Sequence, residues 1–113
     1  MGRVLSVRRR IPPILVGGAG PTVLDRVLDF GDGWFANYAG QPTLERAAEL
    51  RARAERPISF QAIGLPSDPK ALEQLEAAGC SRACHWLPSG NRSTVESAIA
   101  EWERAIALFT GEA

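Results

Sequence analysis

The sequence has no net charge, few cysteines and no long apolar run, and each of these shortages excludes a class of protein. Its 113 residues include 13 basic and 13 acidic side chains, so no overall field attracts nucleic acid or an anionic membrane. No apolar stretch reaches the roughly 20 residues of a membrane span, and the N-terminus lacks the apolar region of a secretory signal. We therefore expect a cytoplasmic chain with no nucleic-acid partner and no membrane partner.

The few metal-binding side chains do not form the pattern of a metal site. Cys80 and Cys84 are the only cysteines, and His85 is the only histidine. A zinc site requires four ligands, usually as two close pairs, and a second pair is missing. We therefore expect no metal site, two cysteines packed as small apolar side chains, and a structural histidine.

Apolar periodicity and capping residues predict strand and helix in strict alternation. A basic run, Arg8 to Arg10, precedes them, so we interpret residues 1–10 as a basic tail and residues 11–113 as the domain. Four strand–helix units without a hairpin signal imply parallel strands, which form either a small open sheet covered on both faces or half of an eight-unit barrel. The predicted strands are Pro13–Val16, Gly33–Ala36, Ile58–Ile63 and Ser81–Leu87, and the predicted helices begin near Gly20, Thr43, Asp68 and Ser93.

The most informative segment is the glycine turn between the first strand and the first helix. Backbone N–H groups here follow the carboxyl end of a strand and precede a helix, where amides and the helix dipole can hold a phosphate. Two familiar nucleotide motifs are absent, because the dinucleotide fingerprint needs glycine at Val23 and no Gly-Lys-Ser or Gly-Lys-Thr occurs. A simple tight turn remains the structural alternative. The residues concerned are Gly17, Gly18, Ala19 and Gly20.

Several segments, in this order and spacing, resemble the C-terminal half of luciferase-like monooxygenases, in particular the branch that uses the deazaflavin coenzyme F-420. The resemblance extends from about Ile11 to Phe109. The segments are the strand ending in Gly17-Gly18, the proline-started helix, the Asp32-Gly33-Trp34 triplet, the Ala78-Gly79 turn and Leu87-Pro88.

This resemblance implies an α/β fold of four consecutive βα units, the C-terminal half of a TIM (β/α)8 barrel, with a cofactor across the barrel mouth. Coenzyme F-420 is the implied cofactor, with FMN as the alternative. The glycine turn would contribute phosphate-facing amides, and the Thr22 hydroxyl would be a further donor. Asp32 and Trp34 are expected to shape the strand and its packing, and no residue is assigned a catalytic role.

A complete member of that family has four more βα units before Ile11, so we expect an incomplete active site in this chain alone. The open side would be covered by a separately encoded N-terminal half-barrel, by a second copy, or by residues lost from a truncated reading frame. The function implied is the C-terminal part of a flavin- or deazaflavin-dependent oxidoreductase acting on an unknown small-molecule substrate. The alternative is a non-catalytic half-barrel remnant or assembly module that folds as an oligomer.

Overall fold

Strand and helix alternate through residues 12–111, the part of the chain that the computed structural model describes. The predicted basic tail, residues 1–10, lies outside the described residues. None of the helices in residues 12–111 is long and apolar enough to cross a membrane. The elements are β1 (Leu15–Gly17), α1 (Val23–Phe30), β2 (Gly33–Asn37), α2 (Gln41–Arg53), β3 (Ser59–Ile63), α3 (Pro69–Ala77), β4 (Arg82–Cys84) and α4 (Arg92–Thr110).

Two helix ends follow the capping signals in the sequence. The Asp68 side chain accepts a hydrogen bond from the N–H of Lys70 at 3.0 Å, and Pro69 occupies the first helical position of α3. At the other end of a helix, Gly31 closes α1 by donating its N–H to the Val27 carbonyl at 2.9 Å. Local chemistry therefore decides where these helices begin and end.

Other element boundaries differ from the sequence prediction. Helix α4 begins at Arg92 with Asn91 as its cap, so Ser93, near which the sequence predicts the start, lies inside the helix and does not cap it. The Asn91 side chain accepts from the Thr94 N–H at 2.9 Å, while Glu96 forms an ion pair with Arg92. Asparagine is an equally good cap, and it lies two residues earlier.

The first helix and the last strand are shorter than predicted. Helix α1 begins at Val23 rather than beside Gly20, because the Val23 N–H bonds to the Gly20 carbonyl three residues back, at 3.2 Å, in a separate turn. Strand β4 spans Arg82–Cys84 instead of the predicted Ser81–Leu87. Its only described neighbour is β3, and the backbone register covers just three residue pairs.

The four strands are parallel and lie in the order β1-β2-β3-β4. Residues paired across neighbouring strands form rows of side chains that run across the sheet. The rows made of buried apolar side chains all lie on one face. All four helices contribute to the core on that face, including α4 through Trp102. The buried strand residues of this covered face are Val16, Trp34, Ala36, Phe60 and Ala62, each exposed by 7% or less.

The opposite face of the sheet, which we call the open face, has none of the four described helices against it. Its central row runs from Gly17 through Phe35 and Gln61 to Arg82. Leu15 on this face is 42% exposed. A sheet with sequential strand order and helices on one side is a half-barrel-like unit, so the alternative of an open sheet covered on both faces is excluded for the described residues.

Candidate functional site

The glycine turn leaves the end of β1 with unbonded backbone donors. Gly17 is the last residue of β1, and Gly18 has a φ of +112°, a backbone conformation that favours glycine. The N–H groups of Gly18, Ala19 and Gly20 donate to no acceptor within residues 12–111. These three donors lie between the carboxyl end of β1 and the start of α1, the location predicted from the sequence.

The carbonyl oxygens of the same turn accept hydrogen bonds from two side chains of the protein. The Trp34 Nε1–H donates to the Gly18 carbonyl at 2.9 Å. One nitrogen of Arg46, Nη1, donates to the Ala19 carbonyl at 3.0 Å and to the Gly20 carbonyl at 2.8 Å. Three successive carbonyls of the turn are thus bound, and these bonds leave its N–H groups unused.

Two arginines bring positive charge to the glycine turn. Arg46, on α2, uses only Nη1 in its bonds to the turn, so its other guanidinium N–H groups donate to no acceptor within the described residues. The Nη2 of Arg26, on α1, lies 3.8 Å from the point that a Cβ on Gly18 would occupy. Arg26 forms no ion pair in the described part of the chain.

Sequence reasoning missed both arginines. Arg46 follows the turn residues it contacts by 26 and 27 positions, and its neighbours Glu45 and Glu49 make it one charge among several on an exposed helix face. Arg26 is exposed and has Asp25 as a neighbour. To find these arginines from the sequence, one would have to know which helix lies beside the glycine turn. Apolar periodicity does not give that information.

Thr22, the predicted hydroxyl donor, precedes α1 and is exposed. Its side chain makes no cap hydrogen bond to the helix. The hydroxyl is therefore available to a ligand at the same helix end. The site thus combines backbone amides, a hydroxyl and guanidinium groups, a donor set that matches the oxygen atoms of a phosphate.

Asp32 and Trp34 have structural contacts, as expected from the sequence. The Asp32 carboxylate accepts a hydrogen bond from the Ile14 N–H at 2.8 Å and thereby joins the start of β2 to the segment before β1. Trp34 is 1% exposed and stacks on Phe60 with ring centroids 5.5 Å apart. Because the Trp34 ring also binds Gly18, core packing and the glycine turn are directly connected.

Strand β4 and the segments beside it are only partly buried. Cys80 and Cys84 are free thiols of intermediate exposure, and Cys80 packs against the core as the expected small apolar side chain. Partial burial raises the pKa of the Cys80 thiol. His85 has the expected structural role, with Nδ1 3.0 Å from the Leu65 carbonyl. Trp86 is 66% exposed and lies outside the core.

Comparison of the chain with protein-family models, with curated proteins and with solved structures gave no match. Membership of the luciferase-like family, the cofactor and the reaction therefore stay predictions from the sequence resemblance. The described geometry adds a group of unbonded donors at the carboxyl end of a parallel strand, the usual place for ligands in such folds.

Proposed function

We propose that this chain forms the phosphate-binding wall of a cofactor site in a flavin- or deazaflavin-dependent oxidoreductase of the luciferase-like type. The observation that carries the proposal is the glycine turn, whose carbonyls are bound while the N–H groups of Gly18, Ala19 and Gly20 are not. Coenzyme F-420 and FMN both carry a phosphate, and the resemblance favours F-420.

The residues of the turn would bind the phosphate in a defined orientation. The three N–H groups and the Thr22 hydroxyl would donate to phosphate oxygens at the N-terminus of α1. Arg46 would stay bound to the turn through Nη1 and use its remaining N–H groups for the anion, with Arg26 adding a second positive charge. The bound cofactor would supply the hydride chemistry, while this chain holds one end of it in place.

A titration followed by NMR tests this function directly. We expect FMN and F-420 to shift the backbone amide resonances of Gly18, Ala19 and Gly20 in the uniformly ¹⁵N-labelled chain. Riboflavin is the matched ligand control, because it has the ring of FMN but no phosphate, so we expect it to leave these resonances in place. Unshifted amides at saturating FMN and F-420 would contradict the proposal.

The arginine variants test the charge contribution to the same site. We expect Arg46→Gln to weaken FMN binding by about tenfold, because it removes a charge-assisted hydrogen bond. Arg104→Gln removes the same charge from the exposed side of α4 and serves as the control, with affinity unchanged. If the two variants bound FMN with equal affinity, Arg46 would not contribute to phosphate binding.

A second function is favoured by the open face, which presents apolar residues such as Leu15 to solvent. In this alternative the chain is an assembly module that binds no cofactor. It would show neither amide shifts nor a rise in melting temperature with FMN or F-420, whereas the cofactor function requires both.

A further inference from the structure

The free edge of β4 leaves a hollow on the helix side of the sheet. Ala83 lies in one row with Ala36 and Ala62, and both of those residues are 0% exposed. Ala83 is nevertheless exposed, because nothing in the described part of the chain covers it beyond β4. The hollow beside it has a volume of about 380 Å³ and is lined by Leu72, Ala83, Cys84, His85, Trp102, Ile106, Phe109 and Thr110.

Helix α4 extends the apolar surface past the edge of the sheet. Ile106 lines the hollow and is 48% exposed, while Trp102 in the same hollow packs against the core with its other side. The lining contains no Asp, Glu, Lys or Arg. A strand added beside β4 would place its helix-side residues on this surface, as the existing strands do in the covered face.

Strand β1, at the other edge of the same sheet, is uncharged and partly exposed, so it is suited to pair beside β4 and cover this hollow. Its residues and their neighbours, from position 12 to position 24, include no charged side chain. Ile14 and Leu15 are 49% and 42% exposed. Edge strands of isolated domains usually carry charges or other features that prevent pairing, and β1 has no such charges.

We propose that a second copy of this chain covers both free edges, with β1 of each copy pairing in parallel with β4 of the other. Sequential strand order with helices on one side is the arrangement found in each half of a closed barrel, so the free edges of two copies can be joined in the same order. Two copies supply eight parallel strands, four from each, the number that closes a barrel of this type. A twofold axis makes the two junctions identical and leaves no free edge.

Arg82 is the single charged side chain of the four strands, and it lies on the open face. In the closed dimer the two β4 strands are opposite each other, so two guanidinium groups enter the interior. Gly17 lies in the same row and has no side chain, which leaves space for them. Their repulsion weakens association, and we therefore expect Arg82→Met to tighten the dimer several-fold.

Analytical ultracentrifugation of the 113-residue chain tests the second copy, and we expect twice the monomer mass of 12.2 kDa. Ile106→Glu adds a charge to the hollow and should raise the dimer dissociation constant by about tenfold or more. Leu108→Glu is the matched control, since Leu108 is an exposed apolar residue of the same helix outside the hollow, and it should leave the constant unchanged.

Hydrogen exchange of the unaltered chain gives a second readout that does not depend on a variant folding. Backbone N–H groups of β1 and β4 should gain protection as the protein concentration rises, while those of β2 stay constant. A monomer at all concentrations, open-ended polymers, or equal effects of Ile106→Glu and Leu108→Glu would overturn the closed dimer. The glycine turn and its arginines take no part in these readouts, so failure here leaves the cofactor proposal standing and the reverse also holds.

Discussion

The two faces of the sheet are built from alternate residues of the same strands, yet only one of them is buried. On the covered face, Trp34 is 1% exposed and Ala62 is 0% exposed. On the open face, Leu15 is 42% exposed and Phe35 is half-buried. The strand residues of the covered face are all apolar, whereas the open face mixes apolar residues such as Leu15, Phe35 and Ile63 with the polar residues Asn37, Ser59, Gln61 and Arg82. The helices of residues 12–111 therefore cover the wholly apolar face and leave the mixed face open.

The largest expected effect comes from removing the central side chain of the covered face. Trp34→Ala should lower the free energy of unfolding by about 3–5 kcal/mol, because it leaves a cavity and breaks the bond to Gly18. Phe35→Ala, the next residue on the open face, should cost less than half as much in dilute protein. Urea denaturation measures both, and equal losses would contradict the difference between the faces.

Two glycines near the ends of α1 differ in how much space surrounds them, and this difference tests how tightly the covered face is packed. A Cβ on Gly31 would lie 2.8 Å from Cγ2 of Val16 and 3.2 Å from Cα of Val27, whereas one on Gly20 would meet nothing within 4 Å. Gly31→Ala should therefore destabilise by about 1–3 kcal/mol through overpacking of the covered face. Gly20→Ala should stay within about 0.5 kcal/mol of the unaltered chain.

The melting temperatures of these two glycine variants give the measurement. A stable Gly31→Ala chain would show that Val16 and α1 can move apart, which would make the covered face looser than its burial indicates. A strongly destabilised Gly20→Ala chain would instead show that the glycine turn is packed against something outside residues 12–111.

The smallest expected effect concerns polar atoms on the two faces. Oε1 of Gln61, on the open face, is buried without a hydrogen-bond partner among the described residues. Gln61→Leu removes this atom and should be neutral or stabilising by up to about 1 kcal/mol. Ala62→Ser adds a hydroxyl to the covered face at the next position and should destabilise by about 1–3 kcal/mol. Effects of the same sign in urea denaturation would contradict this contrast.

Much of the fold could be predicted from local patterns. The order of strands and helices and the start of a helix at Asp68 depend on residues close in sequence, and the structure has them as predicted. The cap of α4 was misjudged, because Asn91 and Ser93 are both good capping residues and only the helix geometry chooses between them. The length of β4 depends on pairing with β3, which is a long-range property.

Of the candidate site, only the backbone part, the glycine turn, could be predicted from the sequence. The glycine turn follows from the strand, glycine and proline pattern. Arg46, Arg26 and the Trp34 bond to Gly18 depend on which helices and strands become neighbours. Their contacts join residues 16 or more positions apart, except that of Arg26, and no periodicity indicates them.

The sequence by itself determined the alternation of elements and the place of the glycine turn, because capping, backbone freedom and apolar spacing act over a few residues. Only the tertiary structure decided that all helices lie on one face. Apolar residues occur at both odd and even positions of the strands, so the pattern suits burial on either side or on both. The direction in which successive crossovers wind decides the covered face, and winding is a property of the assembled sheet.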